Sequence, residues 1–196
     1  MTAETATANA GFADLAQWIA QVAARDGARL AVDDGTRGYI YAEFDARATA
    51  LARALIELGV RKGDRIAVLA ENRIETLELA VACARCGAVL AALNWRFAAD
   101  EIAHCVKLAT PVLCFVSARH AILLAATPDL RTIAYGDEYE ALIARPSNAA
   151  LVDVGPEDGW IILYTSGTTG LSKAALLSHR AEVSRLVLGR IDSWLA

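Results

Sequence analysis

The chain has 196 residues, a formal net charge of −4, and 56% hydrophobic against 21% charged residues. That balance excludes a disordered chain, a collagen-like repeat and a coiled-coil rod. The acidic net charge excludes a generally basic nucleic-acid coat while leaving room for a local anion site. A chain of this length buries about 70% of its unfolded surface, enough for a core without disulfides or metal. The mean hydropathy of +0.35 is high. The most apolar stretch, residues 79–93, is nevertheless too short to span a bilayer comfortably and carries Arg85 in its middle, so no integral membrane span is expected. The opening MTAETATANAGF has neither a basic start nor a long apolar run, which fits a cytoplasmic protein. Four cysteines fit a reducing compartment. Cys83 and Cys86 spell C-x-x-C, but no second pair completes a metal set, and within an Ala-rich helical pattern they read as small apolar side chains.

In chain order, Phe12, Leu15, Ile19 and Val22 recur at helical spacing and predict an amphipathic helix ending near Asp26-Gly27. Residues 30–32 and 39–41 flank the turn-rich Asp33-Asp34-Gly35-Thr36, a hairpin signal. Phe44, Ala48, Leu51, Leu55 and Leu58 line one face of a helix over 42–58, stopped by Gly59. The run 66–70 reads as a buried strand. Helix 75–86, strand 88–93, helix 100–108, strand 112–116, helix 118–126 and strand 132–135 then alternate. This alternation predicts an α/β fold: a mainly parallel sheet with helices on both faces. The organisation expected is an α/β subdomain over 1–145, a connector over 146–158, and a final strand–loop–strand–helix segment over 159–196 belonging to the same large domain.

The chemistry concentrates after the connector. The strand WIILY, residues 160–164, runs into Thr165-Ser166-Gly167-Thr168-Thr169-Gly170-Leu171-Ser172-Lys173 and then into the apolar residues 174–177. Two glycines let backbone N–H groups turn toward a ligand, five hydroxyls add rotatable donors, and no carboxylate opposes them. Lys173 adds a mobile point charge. It is one of only three lysines among nineteen basic residues, the others being Lys62 and Lys107, so a compact ammonium at this point is informative. These are the properties needed to surround a polyphosphate. The spacing is not that of a Walker A loop, whose lysine directly follows its second glycine and directly precedes Ser or Thr. Nor is it a dinucleotide fingerprint or a nucleophile elbow, where Tyr164 would have to be glycine. The bland alternative is a Ser/Thr/Gly hairpin joining two strands.

The segment YTSGTTGLSKAALLSHR resembles the phosphate-binding signature of the adenylate-forming (AMP-dependent synthetase/ligase) superfamily: acyl-CoA synthetases, luciferases and peptide-synthetase adenylation domains. Tyr41-Ala42-Glu43-Phe44, residues 58–67, Gly87-Ala88-Val89 and Leu93-Asn94-Trp95-Arg96 are similar to earlier segments of that family, the last favouring the acyl-CoA synthetase branch. The resemblance implies that the fold is the N-terminal part of an acyl-CoA synthetase-like large domain. It implies activation of a fatty or aromatic carboxylic acid by ATP with Mg2+, giving an acyl-adenylate and pyrophosphate, and then transfer to coenzyme A. It places Thr165, Ser166, Gly167, Thr168, Thr169, Gly170 and Lys173 around the triphosphate, with Thr165 as the magnesium-associated threonine. Ser172 and Ala174 stand where the family usually has proline and glycine. Family members are much longer, so the resemblance also implies that the other catalytic parts come later and that the 196 residues alone are inactive. The competing reading is a non-catalytic phosphate-binding or interaction module derived from that fold.

A homo-oligomer is expected from the apolar surface of such a sheet, with residues 180–195 as a contact. His104, His120 and His179 read as surface or satisfied histidines, and His179 as the opening of the last helix, capped by Ser178 with Glu182 in its first turn. Trp18, Trp95, Trp160 and Trp194 read as packing residues.

Overall fold

A computed structural model describes residues 14–165 and 172–185. Helix α1 (Leu15–Asp26) starts where Asp14 accepts the Gln17 N–H at 2.8 Å, a side-chain cap. Strands β1 (Leu30–Asp33) and β2 (Gly38–Ile40) form an antiparallel hairpin. Tyr41, expected at the end of that hairpin, instead opens α2 (Tyr41–Glu57), where the Glu43 carboxylate accepts the Ile40 N–H at 3.1 Å and so starts the helix early.

The main body follows as β3 (Arg65–Leu69), α3 (Ile74–Cys86), β4 (Val89–Ala92), α4 (Ala99–Ala109) and β5 (Leu113–Val116). A 3₁₀ helix (Ala118–Leu124), β6 (Thr132–Ala134), α5 (Asp137–Ile143), β7 (Gly159–Thr165) and β8 (Lys173–Ser178) complete the elements. Residues 179–185 are helical, and the Ser178 hydroxyl accepts the Ala181 N–H at 3.3 Å, as its capping role requires.

The strands form one six-stranded sheet in the order β6-β5-β3-β4-β7-β8. The first five are mutually parallel, and β8 runs antiparallel to β7 at the edge. Side chains alternate across a strand, and the two faces are accordingly distinct. Ile66, Val68, Leu90, Leu113 and Phe115 pack against Leu51 and Leu55 of α2 and Leu79, Cys83 and Cys86 of α3. Ala67, Leu69, Val89, Ala91, Cys114 and Val116 pack against Ile102, Cys105 and Ala109 of α4. The mainly parallel sheet with helices on both faces is therefore present. All four cysteines are free and buried. Burial pushes the Cys86 thiol up to about 11 and the Cys114 thiol up to about 12, so they behave as apolar side chains.

Two elements differ from expectation. Residues 118–124 wind as a 3₁₀ helix, the tighter form used for short connectors. Helix α5 had no counterpart in the sequence reading. Its buried Tyr139 and Leu142 face the sheet beside Phe115 and Tyr135. The Tyr139 hydroxyl donates to the fully buried Glu78 at 2.6 Å, and Glu78 also receives Arg47 of α2 at 2.5 Å. Among the described residues, no helix is long and apolar enough to cross a membrane.

Candidate functional site

In an open parallel sheet the carboxyl ends of the strands share one edge, and ligands bind outside it. Here that edge gathers Glu71 after β3, Trp95 after β4, Ser117 and His120 after β5, and Thr165 at the end of β7. Strand β7 lies beside β4, pairing Ala92 with Leu163.

The β7–β8 hairpin places Thr165 and Lys173 directly opposite each other. The pair thus brings together the two ends of the segment that runs from Thr165 to Lys173. The hydroxyl and the ammonium side chain lie on the same face of the hairpin, because cross-strand partners do, and both residues are exposed. Of the other residues singled out in the sequence, Ser166, Gly167, Thr168, Thr169 and Gly170 lie outside the described residues.

Helix α4 holds both stems of the loop. The Tyr164 hydroxyl donates to the Cys105 carbonyl at 3.1 Å, with the Tyr164 ring against the α4 side of the sheet. Burial raises the Tyr164 hydroxyl above its ordinary value, so it remains a donor. One residue earlier on α4, His104 Nε2 lies 3.1 Å from the Ser172 carbonyl. A carbonyl can only accept, so the proton is on Nε2. Sequence reading assigned His104 no part in the loop, because the contact spans 68 residues.

A second polar cluster occupies the same edge. Ser117 Oγ donates to Glu71 Oε2 at 3.2 Å and lies 2.9 Å from His120 Nδ1. His120 is buried beneath Trp95, ring centroids 5.3 Å apart, and Arg96 covers the indole at 4.2 Å. The Glu71 carboxyl is held below its ordinary value by its own backbone N–H first, against the opposing cost of burial, with His120, Ser117 and Arg119 adding to the lowering. These three residues do not form a nucleophilic relay. A relay needs serine and carboxylate on opposite imidazole nitrogens, whereas Ser117 and Glu71 both meet Nδ1. The cluster is a fixed polar plug under Trp95.

His120 is thus a satisfied histidine, as expected. His179 is different: it is fully buried, and neither ring nitrogen has a hydrogen-bond partner among the described residues. Burial pushes its pKa down, which keeps the ring neutral. Trp160 is buried and donates its indole N–H to the Ala80 carbonyl at 3.1 Å. Trp194 lies outside the described residues. Among the described residues, no group of three or more His, Cys, Asp or Glu side chains is placed to hold a metal ion.

Comparison with known proteins adds a family. The family model described as AMP-binding enzyme matches residues 19–194. The chain is 34% identical over 180 residues to an indoleacetate–CoA ligase of Aromatoleum aromaticum, covering 86% of this chain and 35% of that protein. It is 33% identical over 166 residues to a feruloyl-CoA synthase of an Amycolatopsis species, covering 84% and 33%. Among solved structures it superposes on a Mycobacterium tuberculosis fatty acyl CoA synthetase with a TM-score of 0.77 at 26% identity, covering 85% of this chain and 34% of that one. The chain thus spans about a third of the length of the curated relatives it matches.

Proposed function

The chain belongs to the AMP-binding enzyme family, and from that membership we propose that it supplies the amino-terminal share of an ATP-dependent acyl-CoA synthetase. The reaction read for the whole protein begins with attack of a fatty or aromatic carboxylate oxygen on the α-phosphorus of ATP. The bond to the β-phosphate oxygen breaks, leaving an acyl-adenylate and pyrophosphate. The thiol of coenzyme A, losing its proton, then attacks the acyl carbon and expels AMP. Relatives named as ligases of indoleacetate and ferulate support the substrate class and the acceptor.

The observation that carries the reading is the pairing of Thr165 with Lys173, the two ends of the donor-rich segment, at the carboxyl edge of a parallel sheet. In this reading Thr165, Ser166, Gly167, Thr168, Thr169, Gly170 and Lys173 surround the triphosphate. Lys173 faces the charge that develops on departing pyrophosphate, a role in which placed cations act strongly. Mg2+ takes oxygen ligands and keeps much of its shell as water and phosphate oxygens. The exposed Thr165 hydroxyl fits as one such ligand. When bound, the ion neutralises phosphate charge.

The remaining parts of the proposal follow from the same frame. Residues 1–145, the connector 146–158 and residues 159–196 are read as parts of one large domain, since β7 pairs with β4. Four free, buried thiols suit the cytoplasm. The partners are small carboxylic acids and further copies of the chain, with no nucleic acid. ATP–pyrophosphate exchange by the complete gene product, run with fatty and aromatic acids, tests the reaction. Acid-dependent exchange supports it. ATP binding with no exchange for any acid would leave a binding module instead.

A further inference from the structure

We infer that His104 is a positioning residue for Lys173, acting through the Ser172 carbonyl. This rests on the reading of the loop as the triphosphate site. The Ser172 carbonyl belongs to the planar peptide unit that joins Ser172 to Lys173. A donor fixed on that oxygen therefore sets the direction in which the chain enters Lys173. His104 Nε2 provides that donor at 3.1 Å from α4, and the imidazole is itself part-buried. Neighbouring Cys105 offers its carbonyl to the Tyr164 hydroxyl at 3.1 Å, which anchors the residue preceding Thr165. Two consecutive residues of one rigid helix thus grip the two stems that carry the two opposed side chains.

The arrangement has a physical purpose. Strand β8 lies at the sheet edge, bonded on one side only, and its residues 173–176 are exposed, so packing does little to hold the start of the strand. Hairpin hydrogen bonds fix Lys173 relative to Thr165, but they leave the pair free to swing together at the end of a two-stranded ribbon. Attachment of both stems to α4, which is buried against the sheet through Ile102, Cys105 and Ala109, ties the pair to the core. A displacement of about 1 Å at a positioned group can cost up to roughly a hundredfold in rate, so loss of one of several anchors is expected to cost less.

The test compares His104→Ala, His104→Gln and Lys173→Ala in ATP–pyrophosphate exchange by the complete gene product. Glutamine carries an amide N–H at the reach of Nε2 and can restore the bond. The expected result for His104→Ala is a fall of about tenfold in kcat with the KM of the carboxylic acid unchanged. His104→Gln should recover most of the rate, and hydrogen exchange at the amides of 174–176 should quicken in His104→Ala and not in His104→Gln. Full rate in His104→Ala alongside a slow Lys173→Ala would overturn the role of His104 and keep the site. Equal slowing in both His104 variants would also overturn it, since the bond would then not be what matters. An unimpaired Lys173→Ala would overturn the reading of the loop itself.

Discussion

Thr165 and Lys173 are direct partners across the antiparallel β7–β8 ribbon, so the first and last residues of the donor-rich segment meet at its base. Lys173, the only lysine of that segment, thus stands beside the Thr165 hydroxyl. Removing that charge should remove electrostatic stabilisation of the departing pyrophosphate, worth on the order of 3 kcal/mol, or roughly a hundredfold in rate. Lys173→Ala is accordingly expected to slow ATP–pyrophosphate exchange by about that factor. Arg29→Ala removes an exposed cation at the far end of the chain and should leave the rate unchanged. Equal rates in the two variants would make the loop a mere connection between strands.

A second expectation concerns the 196 residues by themselves. They span about a third of the curated relatives, and among the described residues no group of three or more His, Cys, Asp or Glu side chains is placed to hold a metal ion. The purified 196-residue chain should make no acyl-adenylate from any fatty or aromatic acid. Acid-dependent pyrophosphate exchange by that chain alone would show that these residues suffice.

Much of the fold is legible in the sequence because a parallel sheet covered on both faces demands short, continuous apolar runs separated by helices. IAVL of β3, VLAA of β4 and LCFV of β5 are such runs, and each stands near the position expected. Helix α5 escaped because its first turn, Asp137, Glu138 and Glu140, is acidic and its apolar residues, Tyr139, Ala141, Leu142 and Ile143, span too short a stretch to show a helical period. What makes it a helix is tertiary: the Tyr139 ring against Phe115 and its hydroxyl on Glu78. The candidate loop was legible because its composition is unusual locally. Its supports were not, because His104–Ser172 and Tyr164–Cys105 join residues 68 and 59 positions apart. Nothing in the local sequence marks such contacts.

The buried carboxylates of α3 make acid sensitivity predictable. Glu75 accepts two hydrogen bonds from Arg73, each 2.8 Å, and one from Arg37. Burial alone would push its carboxyl up. Arg73, the local backbone N–H and Arg37 outweigh that and hold it at about 2, against an ordinary value of 4.5. A carboxyl whose pKa is lower in the folded state stabilises the fold above its unfolded pKa, and loses that contribution as pH falls toward the folded value. The span involved amounts to on the order of 3 kcal/mol. Urea midpoints of the 196-residue chain should fall between pH 5 and pH 2, and Glu75→Gln should be less stable at neutral pH with a flatter profile over that window. An unchanged slope in Glu75→Gln would assign the acid sensitivity to other carboxylates.

Gly87 gives the last prediction. It closes α3 with φ +71°, its N–H donating to the Cys83 carbonyl, and a side chain pays about 1–2 kcal/mol to adopt that left-handed conformation. A Cβ built there would also lie 2.9 Å from Lys62 Cγ and 3.2 Å from Val152 Cγ1. Lys62 is not the free turn residue that its sequence position suggests. Its ammonium bonds Asp158 at 2.7 Å and the Asp153 carbonyl at 3.1 Å, tying the turn before β3 to the connector before β7. The lysine stem therefore moves aside only by giving up those contacts. Gly87→Ala is expected to destabilise by about 2 kcal/mol, the sum of backbone strain and that displacement. Lys62→Ala alone should cost about 1 kcal/mol or less, because the pair is partly exposed. In the double variant the obstructing Cγ is gone, so its loss in urea denaturation should be smaller than the two single losses added together. Strict additivity would mean that Gly87→Ala acts through its backbone conformation alone.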